Sequence, residues 1–427
     1  MKTTRNSVVA LLSVAALALT GCGRDSGGGA GAEGQGDAID DGLAEGTIEV
    51  WAMGTEGEAL EAFSKAFTEA NPDAKVEVTA VPWDGAHDKI ANAIAAGETP
   101  DVSLIGTTWM GEFAEAGGID PTPEGLVDEA DFFPGAWEST EVGGTSYGVP
   151  WYVETRALYY RTDLAEQAGW SQPPATWDEL RQFATDLQQK AGVANGIQLQ
   201  AGLTGAWQTM MPFAWSAGAE LTDADGAEYT LDSPEMVKGL EYYTSFFADG
   251  LSSTDKLDPG ELESGMADGS IGSFISGPWH ADLVEEAGVS PDQYAIAPLP
   301  GTDSAPGNSF VGGGDLAVFS DADNKDGAWK FVQWLSEPET QQGFYDEVGD
   351  LPAVQAAWDS GDLADDPQLQ VFGQQLEKAS SPPAVPTWEE VASAIDSDIE
   401  KATKGQMSPE EAVQSMQQQA QSIGTGL

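Results

Sequence analysis

Cys22 is the only cysteine of the chain, and the residues before it give its thiol a specific chemistry. Lys2 and Arg5 form a positive start, and Val8 to Leu19 is an apolar run too short to cross a bilayer. Leu19-Thr20-Gly21 then places a small residue directly before the cysteine. This is the layout of a secretory signal, and its end resembles a bacterial lipobox. It predicts cleavage before Cys22 and diacylglycerol on the sulfur, so residues 1–21 are read as a lipoprotein signal peptide. A lipidated thiol cannot pair in a disulfide, which accounts for a solitary cysteine. The mature protein is expected on the outer face of the cell membrane, held by acyl chains. Other reactive chemistry has little support. His87 and His280 are the only histidines, there is no Gly-x-Ser-x-Gly elbow, and no cofactor or metal is expected.

Residues 22–46 hold Gly27-Gly28-Gly29, many small residues and several acids, with almost nothing to bury. They read as a flexible linker between anchor and domain. About 380 residues remain from Thr47, too many for one ordinary core, so two lobes are the default expectation. No second apolar stretch is long enough to span a membrane.

The residues that could bind something must be positioned by regular elements, and the first hundred residues of the domain alternate them. Thr47 to Met53 is a short β run, Leu60, Phe63 and Phe67 recur at helical spacing, and Lys75 to Val81 alternates as a strand. Ile90 and Ile94 mark one face of a helix, and Pro100 to Ile105 is a third strand. The β-α-β-α-β order predicts a parallel sheet covered by helices. Ligands of such sheets sit in the strand-to-helix loops, here Gly54-Thr55-Glu56, Trp83 to His87, and Gly106-Thr107-Thr108-Trp109. Tyr147 to Val153 and Arg156 to Arg161 are extended runs rich in aromatics. Three later helices open with expected capping boxes: Thr176 with Glu179, Thr387 with Glu390, and Ser408 with Glu411.

Charge narrows the partners. The chain carries 71 acids against 17 bases, a formal net charge of −54, and the acids are dispersed. Such a surface holds water and repels nucleic acid and anionic headgroups, so nucleic acid is excluded as a partner. Sites that grip phosphate or sulfate want guanidinium groups, and the arginines are few, so a neutral ligand is expected.

Most of the chain, from about Thr47 onward, resembles the carbohydrate-binding members of the extracellular solute-binding proteins that feed ABC importers. The resemblance is carried by the order and spacing of several motifs. These are Val50-Trp-Ala-Met-Gly54-Thr-Glu-Gly57, Gly97-Glu-Thr-Pro-Asp101, Gly148-Val-Pro-Trp-Tyr-Val-Glu154, Leu158-Tyr-Tyr160, Phe274-Ile-Ser-Gly-Pro-Trp279, Phe310-Val-Gly-Gly-Gly314 and Ala328-Trp-Lys-Phe-Val-Gln-Trp-Leu335. It implies an α/β, two-lobed type II periplasmic-binding-protein fold with three hinge crossings, near Val153, Val311 and Asp350. By this analogy residues 47–153 plus 311–350 form lobe 1, and 154–309 plus 351–427 form lobe 2. The implied ligand is a neutral di- or oligosaccharide in the interlobe cleft, the implied partner an ABC permease, and the implied state a monomer.

A sugar presents C–H faces that lie on aromatic planes, ringed by hydroxyls that need polar partners. The resemblance places Trp279, Trp207, Trp388 and Trp109 as candidate ring contacts, with Tyr152 in the motif that ends at Glu154. Thr55, Glu56, Thr108 and Glu154 are the candidate hydroxyl partners. His87 joins them from its loop beside Trp83, and Gly313 lies in a glycine run that permits either close approach of ligand or a bend in the crossing. An exported glycoside hydrolase uses the same residue types and is the alternative reading.

Overall fold

The computed structural model describes residues 39–40, 42–83, 85–202, 205–224 and 226–427. The signal peptide, Cys22 and most of the linker therefore lie outside the described residues, which all fall in the unit Gly34–Leu427.

The expected β-α-β-α-β start is present. The strand Gly46–Met53 pairs in parallel with Ala74–Val81 and with Val102–Gly106, and helix Ala86–Ala96 connects the last two. The first helical stretch is divided: helix Gly54–Phe63 stops at Ser64 and Lys65–Ala70 follows. Ile48, Val50 and Ala52 have no solvent exposure; at every second position they line one face of the strand, the face turned to the core.

These three strands belong to a mixed seven-stranded sheet. Its order runs Leu351–Pro352, Val149–Thr155, Ser309–Val318, Val102–Gly106, Gly46–Met53, Ala74–Val81, with Ala379–Ser380 paired to Ser309–Phe310. Ser309–Val318 runs antiparallel to both long neighbours. A second sheet has three antiparallel strands, Ser273–Ser276, Ala157–Arg161 and Tyr294–Ala297, with Ala157–Arg161 at its centre. Arg156 is the single residue between a strand of the first sheet, Val149–Thr155, and the central strand of the second.

Helices Ala206–Ala217, Pro234–Ala248, Trp388–Thr403 and Pro409–Ile423 pack on one another, in a hydrophobic cluster that also takes in Leu158 and Ile275 of the second sheet. Val391, Ile395 and Ile399 are fully buried, as their spacing predicts. Capping boxes close on Thr176 with Glu179 and on Ser408 with Glu411. The expected box at Thr387 does not form. Its hydroxyl donates instead to the Gly424 carbonyl at 2.6 Å and lies 3.1 Å from the Tyr229 hydroxyl, tying the helix start to the C-terminal segment. No helix among the described residues is long and apolar enough to cross a membrane.

Candidate functional site

The expected loop after the first strand is absent: helix Gly54–Phe63 starts directly after Met53, and its first turn, with Thr55 and Glu56, brings a carboxylate inward. Thr55 is exposed, while Glu56 is 5% exposed and its Oε2 accepts from the Thr55 hydroxyl at 3.2 Å. Glu56 also meets the hydroxyl of Tyr152, whose phenol is held well above its ordinary pKa by burial, then by the charges of Glu56, Asp350 and Glu154. Burial, followed by the charges of Glu56 and Glu154, pushes the Asp350 carboxyl up to about 8, and its Oδ2 has no hydrogen-bond partner. Three carboxylates thus converge on one half-buried tyrosine, from the first turn of helix Gly54–Phe63, the strand Val149–Thr155 and the approach to Leu351–Pro352. Among the described residues no group of His, Cys, Asp and Glu has the arrangement to hold a metal ion.

A glycine run makes room for this cluster. A Cβ on Gly312 would lie 2.9 Å from Glu154 Oε1, and one on Gly314 would lie 2.8 Å from the Tyr152 ring. At Gly313, with φ +129°, it would lie 2.1 Å from the Tyr152 carbonyl oxygen. The close approach at Gly313 is therefore to the neighbouring strand. That strand, rather than a ligand, accounts for the absence of a side chain.

The other two strand-to-helix loops form an aromatic wall. Trp83, 39% exposed, lies edge-on to Trp109 with ring centroids 5.8 Å apart. His87 packs edge-on to Trp109 at 5.4 Å and stacks on Phe113 at 5.3 Å, while its Nε2 is 2.9 Å from Glu112 Oε2. Thr108 is half-buried beside Trp109. Lys89 lies over the ring of Trp51 at 2.6 Å from its centroid, and burial lowers the lysine pKa.

Trp279 is at the start of helix His280–Glu286 and is 42% exposed. Its ring lies over Gly277, where a Cβ would come within 1.9 Å of it. Beneath it, His280 Nδ1 is 2.7 Å from Ser276 Oγ, and its Nε2 is 3.1 Å from Glu263 Oε1. Burial lowers the imidazole pKa, Glu263 opposes that shift, and Arg156 adds to it.

Arg156 was not a sequence candidate. Its guanidinium carbon lies 4.8 Å from the Trp279 ring centroid and 5.3 Å from that of Phe310. Nη2 donates to Gln208 Oε1 at 2.8 Å and approaches Glu154 Oε1 at 3.4 Å. Gln208 is held in place because Asp396 accepts from the backbone N–H groups of Gly205 and Trp207, at 2.7 and 2.8 Å, and so fixes the start of helix Ala206–Ala217. The available signal was position: an arginine, rare in this chain, opening the second of two aromatic-rich extended runs.

Arg156, Gln208, Trp279, His280, Gln198 and Lys404 are among the residues lining a cavity of about 620 Å³. Of the sequence candidates only Trp279 is among them: Glu56, His87, Thr108, Trp109, Tyr152 and Glu154 do not line this cavity, and neither do Trp207 and Trp388. Trp388 has no exposure and Trp207 is 5% exposed; they meet edge to face at 5.0 Å, and Trp207 does the same with Phe310 at 5.1 Å. Their rings are packing inside the second hydrophobic cluster. The structure therefore groups the sequence candidates in three sets: Glu56, Tyr152 and Glu154; His87, Thr108 and Trp109; and Trp279 beside Arg156.

Comparison with known proteins gives this arrangement a lineage. The sugar-binding protein MalE from Xanthomonas citri is similar in structure at a TM-score of 0.82 with 32% identity, over 88% of this chain and 97% of that one. The diacetylchitobiose-binding protein DasA of Streptomyces coelicolor is 26% identical, covering 90% of each chain. The maltotriose-binding protein of Pyrococcus abyssi is 29% identical over 71% of this chain and 66% of its own length. The likeness to MalE shows the two-lobed α/β fold of type II periplasmic binding proteins. Because the model of the bacterial extracellular solute-binding proteins matches residues 52–342, more than half of the chain and including the Arg156 crossing, the chain belongs to that family.

Proposed function

We propose that this protein is the substrate-binding component of an ABC sugar importer, capturing a neutral di- or oligosaccharide outside the cell and delivering it to the permease. The observation that carries the reading is the cavity beside Trp279. A part-exposed indole plane and several side-chain amides open onto one space of about 620 Å³, within the usual size range of ligand pockets. An apolar plane ringed by hydrogen-bonding groups is what a pyranose needs. The named ligands of the relatives above are sugars, which points the same way. A neutral ligand fits because Glu154 already stands 3.4 Å from the one arginine in the cavity.

Residues 47–153 plus 311–350 are proposed as lobe 1 and 154–309 plus 351–427 as lobe 2. Glu56, His87, Thr108 and Trp109 then face the ligand from the first lobe, and Trp279 from the second, with Tyr152 and Glu154 at the crossing. The protein acts as a monomer, tethered through a lipidated Cys22. It binds rather than hydrolyses. A thermal-shift screen with maltose, maltotriose and diacetylchitobiose, followed by chromatography of the recovered sugar, tests this. Binding at a hundred times the dissociation constant stabilises by about 2.7 kcal/mol. A shift with intact sugar is expected; cleaved sugar would favour the hydrolase reading, and no shift with any glycan would overturn sugar binding.

A further inference from the structure

We infer that Trp83 is a second sugar-stacking residue, standing past a strand of the seven-stranded sheet as Trp279 stands past a strand of the three-stranded one. The inference rests on the sugar-binding reading.

Of the fourteen tryptophans only Trp83 and Trp279 are left exposed, at 39% and 42%. Trp207 and Trp388, the other indoles that a sugar could have used, are packed inside a hydrophobic cluster. One exposed apolar residue needs no explanation, but the place of this one does. Trp83 lies two residues beyond the strand Ala74–Val81, which runs parallel to Gly46–Met53 and ends on the same edge as Gly54. That is the edge at which parallel strands present residues to a ligand.

The ring is held where it stands. It lies edge-on to Trp109 with centroids 5.8 Å apart. A Cβ on Gly54 would lie 2.8 Å from both Trp83 Nε1 and Glu56 Oε2, so the indole and the carboxylate meet over a residue that has no side chain. A plane already fixed loses little freedom when a sugar is laid on it. Contacts then run from Trp83 towards Trp279. Glu56 meets the Tyr152 hydroxyl, and Tyr152 and Glu154 share one face of their strand. Glu154 is 3.4 Å from Arg156, whose guanidinium carbon is 4.8 Å from the Trp279 ring centroid. The two exposed indoles thus end one run of polar side chains. Apolar planes with hydrogen-bonding groups between them suit a glycan of two or more units.

The test begins on the unaltered protein. N-bromosuccinimide oxidises accessible indoles, and peptide mapping reads each tryptophan separately. The glycan that gives the largest thermal shift among maltose, maltotriose and diacetylchitobiose should protect Trp83 and Trp279 together. Calorimetry with that glycan should show affinity reduced about ten- to a hundredfold in Trp83→Ala. Trp83→Phe keeps an aromatic plane and should recover most of the loss. The sugar-free Trp83→Ala protein should melt close to the unaltered one, because an exposed ring buries little area. If Trp83 is oxidised equally with and without the glycan, it is a surface residue and the inference fails. Protection with no loss of affinity in Trp83→Ala would mean that the ring is merely covered, and overturns it too. No thermal shift with any glycan would instead overturn the sugar reading beneath it.

Discussion

Gly313 and Tyr152 approach so closely that a Cβ on the glycine would sit 2.1 Å from the tyrosine carbonyl oxygen. The two residues belong to the antiparallel strands Ser309–Val318 and Val149–Thr155, next to a register shift between Gly314 and Asp315. Gly313 has φ +129°, a region that side-chain-bearing residues rarely enter. Strain and collision therefore act together, and they act on the strand that carries Tyr152 and Glu154. Gly313→Ala is expected to lower unfolding free energy by about 2–4 kcal/mol in urea denaturation. Gly117→Ala, where φ is +66° and no atom lies within 4 Å, should cost only about 1 kcal/mol. Equal costs at the two sites would show that the collision at Gly313 relaxes freely.

The tryptophans divide by what they touch, and mutation should separate them. Trp279 is 42% exposed, so Trp279→Ala should weaken sugar binding by about 1–3 kcal/mol with little loss of stability. Trp388 is fully buried against Trp207, so Trp388→Ala should cost about 3–5 kcal/mol of stability. Calorimetry and thermal melts on both variants check the pair. Unchanged affinity in a folded Trp279→Ala protein would remove that ring from the site.

Much of this was readable beforehand, and the parts that were not share a cause. The strands around Val50, Val78 and Leu104 follow from alternation and length, because burial of a whole element leaves a periodic trace. Glu56 could be placed just after the first strand by order alone, though the loop expected there is the first turn of a helix. Trp207 and Trp388 look in sequence like Trp279, since an aromatic carries no mark of which neighbours will surround it. Thr387 shows the same limit. Its capping pattern is present, yet the hydroxyl finds the Gly424 carbonyl, a partner 37 residues away that local spacing cannot reveal. Arg156 and Asp350 become site residues only through contacts between distant segments.

Asp315 sets a pH dependence of stability. It is 1% exposed on Ser309–Val318, and burial pushes its carboxyl up to about 8, partly opposed by the Ser139 hydroxyl 3.2 Å away. The unfolded group has an ordinary carboxylate pKa near 3.9. Between about pH 4 and pH 8 the folded state therefore holds a proton that the unfolded state has lost. Stability from this group is full below pH 4 and declines as pH rises to about 8. The slope is at most about 1.4 kcal/mol per pH unit. Asp315→Asn keeps a neutral side chain at every pH, so it should flatten the profile in that window and gain on the parent at pH 8. Parallel profiles for the two proteins would mean Asp315 is ionised in the fold.

The anchor is tested at Cys22, outside the described residues. Cys22→Ser should leave the signal unprocessed or release the protein to the medium, because the proposed acyl chains are carried by that thiol. Fractionation after a salt wash reads the outcome. A processed variant that stays with the membrane would end the lipidation proposal.

Closure is the remaining prediction, and it follows from where the candidate contacts sit. An importer must distinguish a loaded carrier from an empty one, and a rigid pocket gives it nothing to read. A protein whose ligand touches two lobes does provide a signal, since the ligand favours the closed state by its difference in affinity for the two states. Glu56 and Thr108 follow strands of the seven-stranded sheet, and Trp279 follows a strand of the three-stranded one. Arg156 lies between the sheets, within reach of both Glu154 and Trp279. With hinges proposed near Val153, Val311 and Asp350, saturating sugar should reduce the radius of gyration in small-angle scattering. Glu56→Gln and Trp279→Ala, altered on opposite sides, should each weaken affinity and closure together. An identical scattering profile with and without a glycan shown to bind by calorimetry would leave sugar binding standing and eliminate lobe closure as the transport signal.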